Sequence, residues 1–245
     1  MHILLTRPEP DAAACRAQLE ALGHRVTAEP LLTVETLPLP ETAFDGAAGV
    51  VVTSRNGLRA LAASPEIEKA RPLPLLAVGP GTGDLAKQLG FADVTASTGT
   101  GEALFPTVVE RAGGAAGPYV FVRGEDVAFD LAKACEQQGV VLRSIIAYRA
   151  QPASCLSPET AELIASGELD AVILMSPRTG RIFVRLASEA GLVKECANLV
   201  FCSLSRNVAA TLEPLGASRV EIAETPNSSA MLTTVTRVAT LWSGV

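Results

Sequence analysis

The chain has 245 residues, of which 48% are hydrophobic, and carries a formal net charge of −6 at pH 7. This length suits one large domain or two domains of ordinary size. The acidic balance argues against a general nucleic-acid-binding protein, which would usually be basic, and no apolar run reaches the ~20 residues of a membrane span.

Cysteine and histidine are scarce and scattered. The five cysteines form no CxxC pair, and the first residues contain neither a basic segment nor a long apolar one. We therefore expect a reduced, cytoplasmic protein. His2 and His24 are the only histidines, which leaves little material for a histidine-based nucleophile or a metal site, so we expect no metal.

Short apolar runs alternate with helical patterns along the chain. In the first helical pattern, Ala12, Cys15, Leu19 and Leu22 share one face, and Gly23 follows where a C-terminal cap belongs. Nearly continuous apolar runs are typical of strands buried on both faces, and the alternation with helices predicts an α/β fold on parallel sheets. These runs cover residues 2–6, 49–54, 74–79, 119–123, 170–176 and 199–205.

A weak internal repeat relates the two halves of the chain. Residues 6–26 resemble 122–142, 50–57 resemble 172–180, 77–90 resemble 203–216, and 101–109 resemble 229–237. Because the matches keep the same order, they predict two related α/β units. Two segments that begin extended and become proline-rich, 31–40 and 144–158, predict the connections between the units.

Polar side chains gather where the predicted strands end. Ligands of open parallel sheets bind at those ends, and each following helix offers free N–H groups and a partial positive charge. A cation near a helix N-terminus costs about 0.3–1 kcal/mol, so arginines there favour an anionic ligand with several charges. For each serine or threonine, helix capping alone is the simpler alternative. The arginines are Arg7, Arg55, Arg123 and Arg178.

The turn GPGTG at residues 79–83 raises the alternative of a nucleotide site. Its glycines are spaced G-x-G-x-G, whereas the dinucleotide fingerprint is G-x-G-x-x-G, and the next predicted strand, ADVTAS, does not end in an acidic residue. The P-loop pattern is also absent. We therefore expect this turn, with its free N–H groups and Thr82, to hold an anion other than a nucleotide phosphate.

Seven motifs, in this order, resemble the uroporphyrinogen-III synthase family over essentially the whole chain. They are LLTRP at 4–8, VVTSRNGLRAL at 51–61, LLAVGPGTGDLAKQLG at 75–90, VFVRGEDVAFDLAKACEQQGV at 120–140, IAYRA at 146–150, DAVILMSPRTGRIF at 170–183 and AETPNSSAML at 223–232. The resemblance implies two flavodoxin-like, doubly wound parallel-sheet domains joined by a two-stranded β hinge. Domain one would comprise 1–34 and 152–245, domain two 38–146, and the connecting strands 31–37 and 145–151.

The resemblance also implies an enzyme of tetrapyrrole biosynthesis that needs no cofactor. It would cyclise and dehydrate hydroxymethylbilane to uroporphyrinogen III, with inversion of ring D. The substrate carries eight carboxylates, which fits arginines and helix N-termini lining a cleft. Loss of the hydroxyl leaves an azafulvenium-type cation that must be steered to ring closure, so positioning is the main task.

Tyr148, in IAYRA, matches the family tyrosine proposed to assist departure of the hydroxyl. A phenol is protonated at neutral pH and can donate a hydrogen bond to the leaving oxygen; the alternative is a strand tyrosine with only a structural role. In the second half, Ser205, Arg206 and Val208 stand where the family pattern has glycine, proline and threonine. The substrate-binding candidates are Arg7, Thr53, Ser54, Arg55, Gly79, Thr82, Arg123, Gly124, Ser176, Arg178, Ser205 and Asn207.

A competing interpretation keeps the fold and drops the catalysis. A two-lobed α/β protein could be a cytoplasmic binding or regulatory protein for an anionic small ligand, because fold alone does not decide function. On either interpretation we expect a monomer whose partner is a small molecule, with neither a nucleic acid nor a membrane as partner.

Overall fold

Strands and helices alternate along the chain in the computed structural model, which describes residues 1–242. The strands are β1 His2–Leu5, β2 Arg25–Ala28, β3 Leu32–Thr36, β4 Gly49–Val52, β5 Leu75–Ala77, β6 Val94–Ala96, β7 Tyr119–Gly124, β8 Arg143–Pro152, β9 Ala171–Leu174, β10 Val200–Ser203 and β11 Arg219–Ile222. The helices are α1 Asp11–Ala21, α2 Arg55–Ala62, α3 Ile67–Ala70, α4 Pro80–Gln88, α5 Gly101–Gly113, α6 Leu131–Glu136, α7 Pro158–Ala165, α8 Pro177–Glu189, α9 Val193–Cys196, α10 Arg206–Ala209 and α11 Ser228–Trp242, with a 3-10 helix at Ala210–Leu215. The predicted α/β class is confirmed.

Strands β1, β4, β5, β9 and β10 are buried at every position because both faces of each sheet are covered. On β4, Val50 and Val52 pack into one apolar cluster and Val51 into another on the opposite face. Successive side chains of a strand point to opposite faces, so a strand covered on both sides reads as a continuous apolar run. Each of the six predicted runs contains a strand.

Helix α1 has the predicted buried face except at Leu22, which is 50% exposed because it lies just beyond the end of the helix. Ala12, Cys15 and Leu19 are its buried residues, and Gly23, just beyond its end, has a φ of 82°, the left-handed conformation that glycine adopts without strain. None of the helices within residues 1–242 combines the length and the apolar character needed to cross a membrane.

The chain divides into two units, and the first joins the two ends of the sequence: Met1–Thr33 with Gln151–Val245. Its sheet has the order β11-β10-β9-β1-β2, and all its neighbouring strands pair in parallel. Numbered along the chain, this is the 2-1-3-4-5 order of flavodoxin-like folds.

The second unit, Val34–Ala150, has a sheet of order β3-β8-β7-β4-β5-β6. Apart from β3, it repeats the first sheet when β7 and β8 are matched to β1 and β2, and β4, β5 and β6 to β9, β10 and β11. The pairs among β4 to β8 are parallel. The sequence repeat matches the same strands, so the two units share one strand order although the chain enters the second at a different strand.

Strands β3 and β8 lie side by side at the edge of the second sheet. The backbone N–H of Leu37 donates to the Ala147 carbonyl at 2.8 Å, and that of Ala153 to the Leu31 carbonyl at 3.1 Å. The unit boundaries fall inside both strands, close to the predicted boundaries at 34, 38, 146 and 152. That these strands form a hinge between two domains stays a prediction.

Candidate functional site

Each sheet has a topological switch point, which is a pair of neighbouring strands whose chain connections run to opposite sides of the sheet. In the first unit this point lies between β1 and β9, and in the second between β7 and β4. Ligands of open α/β sheets bind beyond the carboxyl ends of the strands at such points. The residues at or just beyond these strand ends are Thr6, Arg7 and Ser176 in the first unit, and Gly124 and Ser54 in the second.

In the second unit, the Oγ atom of Ser54 lies 2.8 Å from the phenol oxygen of Tyr148. Ser54 is the N-cap of helix α2, and its Oγ accepts a hydrogen bond of 3.1 Å from the backbone N–H of Gly57. The predicted catalytic residue is therefore held by one of the predicted binding residues. Tyr148 is half-buried.

Gly124 makes the approach of Tyr148 to Ser54 sterically feasible. Tyr148 is on β8, Ser54 follows β4, and β7 lies between these strands. The register between β7 and β8 shifts at Arg123 and Gly124, which sets Gly124 opposite Tyr148. A Cβ atom on Gly124 would lie 2.7 Å from the ring Cζ, so only glycine lets the ring cross β7 here.

The side chain of Arg123, near the end of β7, forms hydrogen bonds with the backbone of the two residues that follow it. The guanidinium of Arg123 donates to the carbonyl oxygens of Gly124 at 2.9 Å and Glu125 at 3.1 Å. Thr53 and Arg55 flank Ser54 and are half-buried. Roles for Thr53, Arg55, Arg123 and Gly124 in holding substrate stay predictions.

The turn after β5 combines a left-handed glycine with a helix start that no side chain caps. Gly79 has a φ of 78° and is the N-cap of α4, which begins at Pro80. Thr82 lies in the first helical turn and is 7% exposed. Because α4 has no side-chain cap hydrogen bond, its first N–H groups match the predicted anion-binding turn, and that role stays a prediction.

In the first unit, Arg7 has partners within the protein. Its guanidinium forms an ion pair of 3.2 Å with Asp11, the first residue of α1, and donates to the Ser228 hydroxyl at 3.2 Å. The ion pair is largely buried, with side-chain exposures of 10% and 17%. Asp11 thus offsets the cost of a cation at the start of α1, which the sequence had suggested an anionic ligand would do. Substrate binding by Arg7 stays a prediction.

Ser176 repeats the capping geometry of Ser54. Its Oγ accepts from the backbone N–H of Thr179 at 3.1 Å at the start of α8, and the Thr179 hydroxyl lies 2.7 Å away. Besides the backbone N–H that it caps, the Ser54 hydroxyl contacts the hydroxyl of Tyr148, whereas the Ser176 hydroxyl contacts that of Thr179 in its own helix. Arg178 is half-buried in the first turn of α8.

The turn after β10 differs from its counterparts. Ser205 occupies the N-cap of α10, but its side chain makes no cap hydrogen bond, and Asn207 is exposed. Helix α10 has only four residues before the 3-10 helix takes over. The turn therefore lacks the side-chain cap that Ser54 and Ser176 provide.

Sequence reasoning missed three residues around these turns. Gly57 was not singled out, although a Cβ there would lie 3.1 Å from the carbonyl oxygen of Val122. Asp11 was missed as the partner of Arg7, and Thr179 as the partner of Ser176. Arg7 lies in the turn before α1, so the helical spacing rule gave no signal for its ion pair with Asp11.

Buried thiols near the strand ends are held in their protonated form. Burial raises the pKa of Cys196 and of Cys202 to about 12. Burial also raises the pKa of Cys15, although the nearby charge of Arg7 opposes the effect. Because the thiolate is the nucleophilic form, these cysteines do not supply a nucleophile at neutral pH.

Two solved structures resemble this chain over almost its whole length. A mutant uroporphyrinogen III synthase from Thermus thermophilus is 19% identical, with 98% of this chain and 99% of that chain covered and a TM-score of 0.61. A uroporphyrinogen-III synthetase from Helicobacter pylori is 16% identical, with 97% and 99% covered and a TM-score of 0.66. Both share the fold of this chain over almost their whole length. No curated protein matches the sequence.

The sequence itself matches a family model. The model is described as uroporphyrinogen-III synthase HemD, and the match runs from residue 13 to residue 233. It includes turns of both units and the pair formed by Ser54 and Tyr148. This chain belongs to the uroporphyrinogen-III synthase family.

Proposed function

We propose that this chain is a uroporphyrinogen-III synthase, which cyclises and dehydrates hydroxymethylbilane to uroporphyrinogen III in tetrapyrrole biosynthesis. The observation that carries the proposal is the family match over residues 13–233. The pairing of Tyr148 with Ser54 at the point where the strand order of the second sheet reverses adds chemical support.

The first chemical step is departure of the substrate hydroxyl. The phenol of Tyr148 donates its hydrogen to that oxygen, the bond between carbon and oxygen breaks, and water leaves. An azafulvenium-type cation remains, stabilised by the adjacent pyrrole nitrogen. A positioned acid of this kind contributes about 10²–10⁴-fold to such a step.

Ring closure then completes the proton balance. The substituted carbon of the last pyrrole attacks the cation, and a spiro intermediate rearranges so that this ring is inverted. The proton that the final pyrrole carbon releases replaces the one that the phenol gave, so the net reaction is loss of one water. The reaction involves no net oxidation or reduction, so it requires no redox cofactor.

Holding the substrate carboxylates is the task we propose for the strand-end turns. The uncapped start of α4 with Gly79 and Thr82 suits one carboxylate, because backbone N–H groups and the helix dipole attract anions. Arginine forks suit others. The proposed binding residues are Arg7, Thr53, Arg55, Gly79, Thr82, Arg123, Gly124, Ser176, Arg178, Ser205 and Asn207.

The proposal includes a cytoplasmic monomer made of two domains, 1–34 with 152–245 and 38–146, joined by a two-stranded hinge. The net charge of −6 supports a small-molecule partner rather than a nucleic acid. Sedimentation of the purified protein across a concentration series tests the monomer; a mass that doubles contradicts it.

The isomer of the product tests the function directly. Purified protein is mixed with freshly prepared hydroxymethylbilane, the product is oxidised, and the porphyrin isomers are separated. We expect the type III isomer in excess, and the type I isomer alone with heat-denatured protein. Type I alone with the native protein would refute the proposal, and binding of hydroxymethylbilane without a change in isomer would favour the non-catalytic alternative.

A further inference from the structure

We propose that Ser54 is a positioning residue for Tyr148 rather than a holder of a substrate carboxylate. In this assignment, which rests on the proposed function, the Ser54 hydroxyl donates to the phenol oxygen and leaves the phenol hydrogen free for the substrate. The two oxygens lie 2.8 Å apart, although the residues are separated by 94 positions in the sequence.

The direction of the hydrogen bond follows from the other partner of Ser54. A serine hydroxyl has one hydrogen to donate and two lone pairs that accept. The backbone N–H of Gly57 donates to one lone pair at 3.1 Å. Within residues 1–242, the phenol oxygen is the one acceptor shown for the Ser54 hydrogen. If Tyr148 donated instead, the Ser54 hydrogen would have no acceptor among the hydrogen bonds of the described residues 1–242.

The Ser54 side chain is fixed more firmly than an ordinary surface serine. Its backbone is extended, with φ −154° and ψ 155°, and its Oγ is held at the start of helix α2. Gly57, whose N–H holds that oxygen, is buried and packs close to the carbonyl of Val122. The phenol thus meets a hydroxyl whose position helix α2 sets.

The resulting chain of hydrogen bonds runs from Gly57 N–H to Ser54 O–H to Tyr148 O–H. Successive hydrogen bonds polarise one another, so a phenol that accepts from Ser54 becomes a better donor. The partial positive charge at the start of α2 acts in the same direction. After the phenol has given up its hydrogen, the Ser54 hydroxyl stabilises the negative oxygen that remains.

A double-mutant cycle separates this role from substrate binding. We expect Ser54→Ala to lower kcat about 10-fold, which corresponds to about 1.4 kcal/mol of activation free energy, with little change in KM. In a Tyr148→Phe background, Ser54→Ala should cost nothing further, because both changes remove the same interaction. Ser54→Thr keeps a hydroxyl at the N-cap and should restore most of kcat.

Loss of the helix cap is controlled in two ways. Ser54→Gly removes the hydroxyl but keeps most of the stability of the helix start, because glycine is a good N-cap residue, so it serves if Ser54→Ala does not fold. Asp130 caps α6 in the same unit by accepting from the Lys133 N–H at 3.1 Å. Asp130→Ala should lower stability and leave kcat unchanged.

A readout without substrate tests the contact itself. The chain has two tyrosines, Tyr119 and Tyr148, so protein grown with 3-fluorotyrosine gives two fluorine NMR signals. Ser54→Ala and Ser54→Gly should shift the signal that is missing in Tyr148→Phe and leave the Tyr119 signal in place. Asp130→Ala should move neither.

Three results would overturn the inference: a Tyr148 signal that does not respond to loss of the Ser54 hydroxyl, losses from Ser54→Ala and Tyr148→Phe that multiply in the double variant, or an increase in KM with unchanged kcat. If the wild-type protein forms no type III product, the proposed function fails, while the fluorine signal still decides whether Ser54 positions the phenol.

Discussion

The ring of Tyr148 occupies the space that a side chain on Gly124 would need. A Cβ atom on Gly124 would come within 2.7 Å of the ring Cζ and 2.9 Å of the phenol oxygen. The irregular register at the end of β7 brings the two residues opposite each other. The position of the phenol therefore depends on the absence of a side chain on the neighbouring strand.

We expect Gly124→Ala to displace the phenol from Ser54 and to lower kcat at least about 10-fold, because acid catalysis requires hydrogen-bond distance. The matched control is Gly114→Ala in the same unit, where an added Cβ would meet only the Glu110 carbonyl at 3.9 Å. Steady-state kinetics of both variants is the measurement. Equal, wild-type kcat values would show that the ring position is not critical.

Tyr148→Phe keeps the ring and removes only the hydroxyl. We expect turnover to fall by roughly 10- to 100-fold, toward the lower part of typical acid–base contributions. The fold should persist, because the ring still fills its site. Turnover at saturating substrate is the measurement, and an unchanged value would remove Tyr148 from the mechanism.

Glu29 secures the start of helix α7 in the first unit. Its carboxylate is 7% exposed and accepts from the Ser157 N–H at 3.0 Å and from the hydroxyls of Ser157 and Thr160, both at 2.5 Å. An amide has a single acceptor oxygen and would turn N–H donors toward these donors. We expect Glu29→Gln to lower the free energy of unfolding by about 1.5–3 kcal/mol.

Urea denaturation of Glu29→Gln measures this loss, and Glu20→Gln, on the exposed surface of α1, is the matched control. The control should stay within about 0.5 kcal/mol of wild type. A loss no larger than that in Glu29→Gln would contradict the proposed role of the three hydrogen bonds.

His2 should make stability depend on pH. Burial, followed by the charge of Arg25, lowers its pKa from 6.5, although the Glu168 carbonyl and the Asp170 and Glu168 carboxylates oppose the shift. The unfolded chain then takes up the proton first as the pH falls. The contribution is complete above about pH 6.5 and is lost below it, until the folded imidazole also becomes protonated.

We therefore expect His2→Gln to lose less stability than wild type when the pH is lowered from about 7.5 to about 5.5. Burial also lowers the pKa of His24, so part of the pH dependence should remain. Denaturation midpoints at several pH values measure the difference. Identical pH slopes for the two proteins would exclude His2 as the origin.

The cysteines should differ sharply in reactivity. Cys155 is exposed, and the other four are buried; burial raises the pKa of Cys196 and Cys202 to about 12. Brief treatment of the folded protein with iodoacetamide near pH 8 should label Cys155 alone, because alkylation requires an accessible thiolate. Peptide mass spectrometry locates the label. Equally fast labelling of Cys202 would contradict the burial of β10.

The sequence was most informative where a segment is buried on both sides. The apolar runs around β1, β4, β5, β7, β9 and β10 predicted those strands because short, nearly continuous apolar runs followed by helical patterns are typical of strands buried on both faces. Strands β2 and β11 were not singled out, since they lie at sheet edges and are only partly buried. The strand order depends on contacts between distant segments, which local periodicity does not encode.

The sequence predicted which residues lie at the candidate site, but it did not predict the contacts between them. Ser54, Ser176 and Gly79 were identified from their places at strand ends. The hydrogen bond between Ser54 and Tyr148 was not predictable, because it depends on a register shift and a missing side chain on the strand between them. The ion pair of Arg7 with Asp11 was likewise not predictable, because Arg7 lies in the turn before α1, where the helical spacing rule does not apply.

The interrupted first unit has a consequence for protein synthesis. Ribosomes synthesise the chain from its N-terminus at ~5–20 residues per second. Strands β1 and β2 therefore emerge well before β9, the strand that pairs with the other edge of β1. Residues 34–150 emerge as an uninterrupted unit in the meantime. Until β9 has been synthesised, β1 is paired with β2 alone, and its other edge has no partner strand. The sheet of the first unit is therefore completed only by the C-terminal segment of the chain.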